Sequence, residues 1–196
     1  MSGEPVPPAL PPDFDAMFTA DVDPWHAQES WYEQRKLAVL LASLPNARYG
    51  SAWEPGCGPG FTSAALAARV GELTASDSSS VAVDIARRRC RHLPNVVCVQ
   101  SGLPDTPVHQ RVELVVVAEF LYYVSDLESA VDTVFSCLAP SGHLAVLHWA
   151  HHPHDAYRSG PDMHASLARS AEARGAVRRV AHADTDFLLD VYEARS

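Results

Sequence analysis

Beyond Pro45, short apolar segments alternate with runs of helix formers, and few architectures accommodate that order. The strand-like segments are "YGSAWE", "ELTASD", "NVVCVQ", "VELVVVAE" and "GHLAVLHWA"; helices are expected over 61–70, 79–92 and 126–139. Strands apolar on both faces and separated by helices imply a mostly parallel sheet covered on each side. The fold class is therefore α/β, a doubly wound sheet. A helix from Asp162 to Arg174 follows, then "AVRRVAHAD" and "FLLDVYEAR", which read as an antiparallel hairpin at the sheet edge. Upstream, "DPWHAQESWYEQRKLAVLLASLP" (23–45) predicts one or two helices with Asp23 as a cap. Five prolines among the first twelve residues predict an extended, poorly packed leader over 1–22. With 196 residues and 47% hydrophobic content, residues 23–196 fill one domain.

Charge and cysteine usage narrow the partners. A formal net charge of −9 disfavours a nucleic acid, whose binding rests on basic patches. A neutral or cationic small molecule fits better. Cys57, Cys90, Cys98 and Cys137 are scattered singly, without zinc spacing or disulfide density, so they read as reduced thiols. The first fifteen residues show no basic and apolar signal regions, and no run approaches the roughly 18 apolar residues of a membrane helix. A cytoplasmic location without membrane contact is expected.

The stretch "EPGCGPG" turns from the first strand into a helix, where backbone N–H groups approach a ligand in doubly wound sheets. Dinucleotide folds place a third glycine three residues after the second; here that position is Phe61, and Gly60 comes one residue early. The pattern acid-x-G-x-G-x-G, Glu54 with Gly56, Gly58 and Gly60, resembles motif I of the class I S-adenosylmethionine-dependent methyltransferases, which have a Rossmann-like fold. That cofactor carries an ammonium and no phosphate, which suits a leading carboxylate. S-adenosylhomocysteine would be the product. Asp77, with Ser78 beside it, ends the second strand 21 residues after Gly56, the place of a ribose-binding acid; it also suits a helix cap. In "NVVCVQSGLPD", Gly102 stands where the resemblance leads one to expect an acid for the adenine amino group. Adenine contact then falls to Ser101 or the Leu103 backbone.

Three further stretches, "DPWHAQESWYEQRK", "AEFLYYVSDLESAV" and "GHLAVLHWAHHPHDAYRSGPDMHASL", make residues 23–170 similar to the nodulation protein S family of small methyltransferases. The resemblance implies N-methylation of an amine or amino sugar in small-molecule biosynthesis, with residues 23–45 as lid helices. It places Trp25, Tyr32 and Arg35 at the cofactor, Arg35 suited to the methionine carboxylate. An amphipathic helix with a solvated Arg35 is the plainer alternative. Glu119, at the end of the fourth strand, could touch the cofactor or attract an ammonium, and Tyr122 and Tyr123 form a wall for a ring or sugar or an ordinary core edge. The absence of N/D-P-P-Y there removes nucleic-acid and protein amide acceptors. His148 and Trp149 end the fifth strand; His148 and His164 are candidates for proton acceptance or substrate contact, or satisfied core histidines. His148, Glu119 and Tyr122 are the candidate catalytic residues. "HWAHHPHD" matches no standard zinc spacing, so no metal is expected. O-methylation, or cofactor binding without catalysis, are the remaining alternatives.

Overall fold

The strand "VELVVVA" has four consecutive valine or leucine residues with no solvent exposure, and only a position covered on both faces holds such a run. The structure, a computed structural model, describes residues 11–196. It places that strand, β4 (Val112–Ala118), at the centre of one seven-stranded sheet. The others are β1 (Tyr49–Pro55), β2 (Val70–Asp77), β3 (Val96–Gln100), β5 (Leu138–Trp149), β6 (Val177–Ala183) and β7 (Phe187–Glu193). Their order is β3-β2-β1-β4-β5-β7-β6, with β1 to β5 parallel and β7 antiparallel to both neighbours. The C-terminal hairpin thus adds to the sheet as expected, its second strand inserted against β5. This is the doubly wound, mostly parallel sheet that the sequence predicts.

Among the described residues six α-helices accompany the sheet: α1 (Phe14–Ala20), α2 (Trp31–Ser43), α3 (Phe61–Leu66), α4 (Ser80–Cys90), α5 (Leu127–Ser136) and α6 (Gly160–Ala173). Leu127, Val131 and Val134 of α5 and Met163, Leu167 and Ala171 of α6 pack on Trp53, Val115, Val117, Leu144 and Val146 of one sheet face. Helices α2 and α3 bring Leu40 and Leu66 to Ala52, Leu73, Leu114 and Leu147 on the other. Helix α4 covers the same side near β2 and β3 through Val83, Ala86 and Cys90.

The N-terminal segment departs most from expectation. Residues 1–10 lie outside the described residues, but 14–20 of the expected leader form α1. Asp13 caps it by accepting the Ala16 N–H at 3.0 Å, and Phe18 is buried on Ala82 and Ile85 of α4. Residues 24–30 are turns, because the Asp23 carboxylate ties down the N–H groups of Ala27 and Gln28. The helix begins only at Trp31, after the cap Ser30, and stops before Leu44-Pro45. Smaller shifts have local causes: α3 stops at Leu66 and finishes as a 3-10 turn over Ala67–Arg69, whereas β5 begins at Leu138 because a register irregularity lets that residue pair with Val112.

Candidate functional site

The carboxyl ends of β1, β2, β4 and β5 open on one crevice, and the three motif glycines differ in what they do there. All have positive φ: +67° for Gly56, +50° for Gly58 and +80° for Gly60. A Cβ on Gly56 would lie 2.4 Å from the Phe120 ring, and one on Gly60 would lie 3.0 Å from Ala86 of α4. These two are packing requirements. A Cβ on Gly58 would meet only the tip of Phe18, at 3.8 Å, so Gly58 keeps open the space above the turn.

Asp77 fixes that turn. One carboxylate oxygen accepts the Gly58 N–H and the other the Ser79 N–H, both at 2.9 Å. It is not the N-cap of α4; Ser79 is, through the Ala82 N–H. Burial holds the Asp77 carboxyl above its ordinary range against the pull of those N–H donors. Glu54 lies beneath the turn, 2% exposed, accepting from the Ser63 hydroxyl, and burial pushes its carboxyl up to about 8.

Ser78 and Gly102 meet across β2 and β3. A Cβ on Gly102 would be 2.9 Å from the Ser78 Cβ, so an acid at position 102 has no room. The backbone of Ser101 is anchored by its N–H to the Asp77 carbonyl at 3.0 Å, and Leu103 follows, half-buried against the core.

Glu119 is the most constrained residue of the crevice. It holds φ +60°, which non-glycine residues adopt at a cost and which clusters at functional sites. Its Oε1 accepts from Lys36 Nζ at 2.6 Å; its Oε2 accepts from the Tyr122 hydroxyl at 2.5 Å and the Trp149 N–H at 3.0 Å. Lys36, 5% exposed, also donates to Glu33 Oε1 at 2.9 Å and sits 4.6 Å from the centre of the Tyr32 ring. Burial raises the Glu33 carboxyl despite that lysine. Burial, then Glu119, push the Tyr122 hydroxyl well up, so it stays a donor.

Lys36 was not among the residues singled out from the sequence. Its signal is a lysine in the inward stripe Tyr32–Lys36–Leu40 of α2, at i, i+4, i+8, where an apolar residue belongs. The roof from α1 was also missed. Asp15 accepts from the Ser79 hydroxyl at 2.5 Å, Phe14 meets Tyr123 edge-on at 5.3 Å, and Phe18 overhangs Gly58. It spans the crevice from α4 to Tyr123.

Other expected residues lie elsewhere. Arg35 remains partly exposed and does not touch the glycine turn: it pairs with Asp184 at 2.5 Å in the β6–β7 turn and lies 5.1 Å from the Phe187 ring. Trp25 is half exposed, edge-on to Phe18 at 5.8 Å. His148 is fully buried; its Nε2 accepts the Leu121 N–H at 3.3 Å, and burial, then His164 and Lys36, hold its pKa well below the ordinary range. His164, also buried, pairs through Nδ1 with Asp190 at 2.7 Å. Trp149 is partly exposed at the rim against His151. Among the described residues no three His, Cys, Asp or Glu side chains form a metal-holding group, and no helix is long and apolar enough to cross a membrane.

The sequence profile of the nodulation protein S (NodS) family matches residues 16–149, a range that includes Phe18, the glycine turn, Glu119 and His148. The chain belongs to the NodS family. It is 34% identical over 126 residues to nodulation protein S of Rhizobium tropici, covering 62% of this chain and 53% of that protein. It spans 53–58% of the length of the curated NodS proteins it matches. The N-methyltransferase NodS of Bradyrhizobium japonicum WM9, solved with S-adenosyl-l-homocysteine, superposes with a TM-score of 0.79 over 94% of this chain and all of that one, at 20% identity. A Pseudomonas syringae protein, provisionally called a methyltransferase, is 36% identical with a TM-score of 0.73, covering 84% of this chain and 99% of that one.

Proposed function

We propose that this NodS family chain is an S-adenosylmethionine-dependent methyltransferase that methylates an amine nitrogen of a small molecule or amino sugar. The observation that carries this reading is the placement, across one crevice, of the open Gly58 turn braced by Asp77 and the strained Glu119 with its ring of donors. The turn suits the cofactor: Gly58 leaves backbone accessible, Asp77 ends β2 where a ribose-binding acid belongs, and buried Glu54 forms no ion pair among the described residues. When bound, S-adenosylmethionine supplies an electrophilic methyl group on sulfur, and the protein's task is to align a nitrogen lone pair with it. Phe14, Phe18 and Tyr123 exclude water above the turn. An ionised carboxylate has about four acceptor positions, and Lys36, Tyr122 and Trp149 fill three on Glu119. The fourth receives an N–H of the acceptor, orients it, and draws off its proton. His148 does not fit the role of proton acceptor: its Nε2 lone pair is taken by Leu121, and its burial opposes a charged ring. It supports the wall instead.

Pairing of Glu54 with the cofactor ammonium has a measurable proton linkage. In the ligand-free fold its pKa lies above the ordinary 4.5, at about 8, so this group's contribution to stability is fully present below 4.5 and is lost as pH rises toward 8. An ammonium beside it favours the ionised form, so cofactor uptake at pH 7 releases up to one proton and affinity rises with pH through that window. Calorimetry at pH 7 in two buffers of different ionisation enthalpy reads this directly, with Glu54→Gln as control. Equal heats in both buffers would remove Glu54 from ammonium binding.

Asp77→Ala is expected to weaken cofactor affinity by about 1–3 kcal/mol, the scale of hydrogen bonds to a charged group. Because Asp77 also braces Gly58, thermal unfolding is measured alongside. Lower stability at unchanged affinity would make Asp77 a brace alone.

A further inference from the structure

Behind the Tyr122 wall, between the sheet and α6, two histidines present complementary atoms without partners. His148 Nε2 accepts the Leu121 N–H, so in a neutral ring the proton sits on Nδ1, which is buried and unpaired. His164 Nδ1 donates to Asp190 Oδ2 at 2.7 Å, so in a neutral ring Nε2 is an acceptor, also buried and unpaired. The ring centroids are 5.4 Å apart with planes at 82°. One orphan is a donor and the other an acceptor, and buried polar atoms are rarely left unsatisfied.

We propose that the space between His148 and His164 is a binding site for one water molecule, which accepts from His148 Nδ1–H and donates to His164 Nε2, and that Asp190 is the positioning residue that sets this pattern. Two buried, unpaired polar atoms on rings whose centroids lie 5.4 Å apart suit such a guest. Asp190, held on its other oxygen by Arg178 at 3.5 Å, fixes the proton of His164 on Nδ1. The water then fixes His148, and His148 holds the N–H of Leu121 at the head of the 3-10 turn Leu121–Tyr123. That turn aims the Tyr122 hydroxyl at Glu119. The chain from Asp190 to Leu121 therefore links the antiparallel hairpin to the acceptor wall. Its catalytic consequence rests on the function proposed above, whereas the water and the tautomers do not.

The test uses the full chain. Long-range proton–nitrogen NMR of the histidine-labelled protein without ligand should show both His148 and His164 as neutral Nδ1–H tautomers; any other combination overturns the proposal. A crystal structure should show one water within hydrogen-bond distance of both nitrogens, and a dry gap or a direct bond between the rings would overturn it. With an accepted amine, Asp190→Leu should lower kcat roughly tenfold at unchanged cofactor KM, as misplacement of a supporting group does. Asp190→Asn, whose amide oxygen still accepts from His164, should recover most of that loss and retain the wild-type tautomers. Equal activity of the Asn and Leu variants would overturn the positioning role. Should the Leu variant fail to fold, the wild-type spectra and the tautomers of the Asn variant decide the matter. Loss of both tautomers in an active enzyme would sink this inference alone; intact tautomers in a protein that transfers no methyl group would sink the function alone.

Discussion

Gly58→Leu is expected to abolish measurable S-adenosylmethionine binding, a loss of at least 100-fold, while the sheet stays folded. A side chain there enters the space that Gly58 leaves open, since only the tip of Phe18 lies within 4 Å of a Cβ. The variant also carries the cost of a left-handed residue, about 1–2 kcal/mol, because φ is +50°. Gly60→Val gives the contrasting result. Its side chain drives into Ala86, so α4 and the turn lose packing and the melting temperature falls more than for Gly58→Leu. Calorimetric titration and thermal unfolding of the two variants separate a ligand-facing glycine from a packing glycine. Full cofactor affinity in Gly58→Leu would move the binding site off this turn.

Much of this arrangement was legible in the sequence, for reasons the structure makes specific. The run "VELVVVA" demanded a strand covered on both faces, and the spacing of Gly56, Gly58 and Gly60 demanded a turn from strand into helix. The single functions of the three glycines were not legible, because they depend on Phe120, Phe18 and Ala86 arriving from elsewhere in the chain. Helix α1 was hidden by the prolines before it, although Asp13 followed by apolar residues at 14, 17 and 18 is a capped helical pattern. Residues 24–30 looked helical because Asp23 has a cap's chemistry; it caps a turn instead. The loss of an acid at position 102 has a local cause, the Ser78 Cβ, which no strand pattern reveals. His148 looked like a base from its place at a strand end, but its tautomer is set by a backbone N–H 27 residues away.

Glu119→Gln should cost roughly 100-fold or more in kcat, the usual range for a positioned proton-transfer group. The amide cannot accept a proton, and its NH2 group faces Lys36, which keeps Glu33 as its remaining partner. Stability should fall by about 1–3 kcal/mol from the lost charge-assisted bonds. Lys36→Met should recover part of that stability by removing the buried charge, and the two substitutions should be non-additive because the side chains share one bond. A Glu119→Gln enzyme with wild-type turnover would leave the carboxylate a purely structural anchor for Lys36, Tyr122 and the Trp149 N–H.

The central claim is methyl transfer to nitrogen, and locating the transferred group tests it most directly. The full chain is incubated with S-adenosylmethionine carrying a 13C-labelled methyl group and with a panel of small amines and amino sugars, each followed by NMR and mass spectrometry. The predicted result is one labelled methyl group on nitrogen for each S-adenosylhomocysteine formed, with the signal lost in Gly58→Leu. Tight cofactor binding without transfer to any amine, or a label found on oxygen, would contradict it.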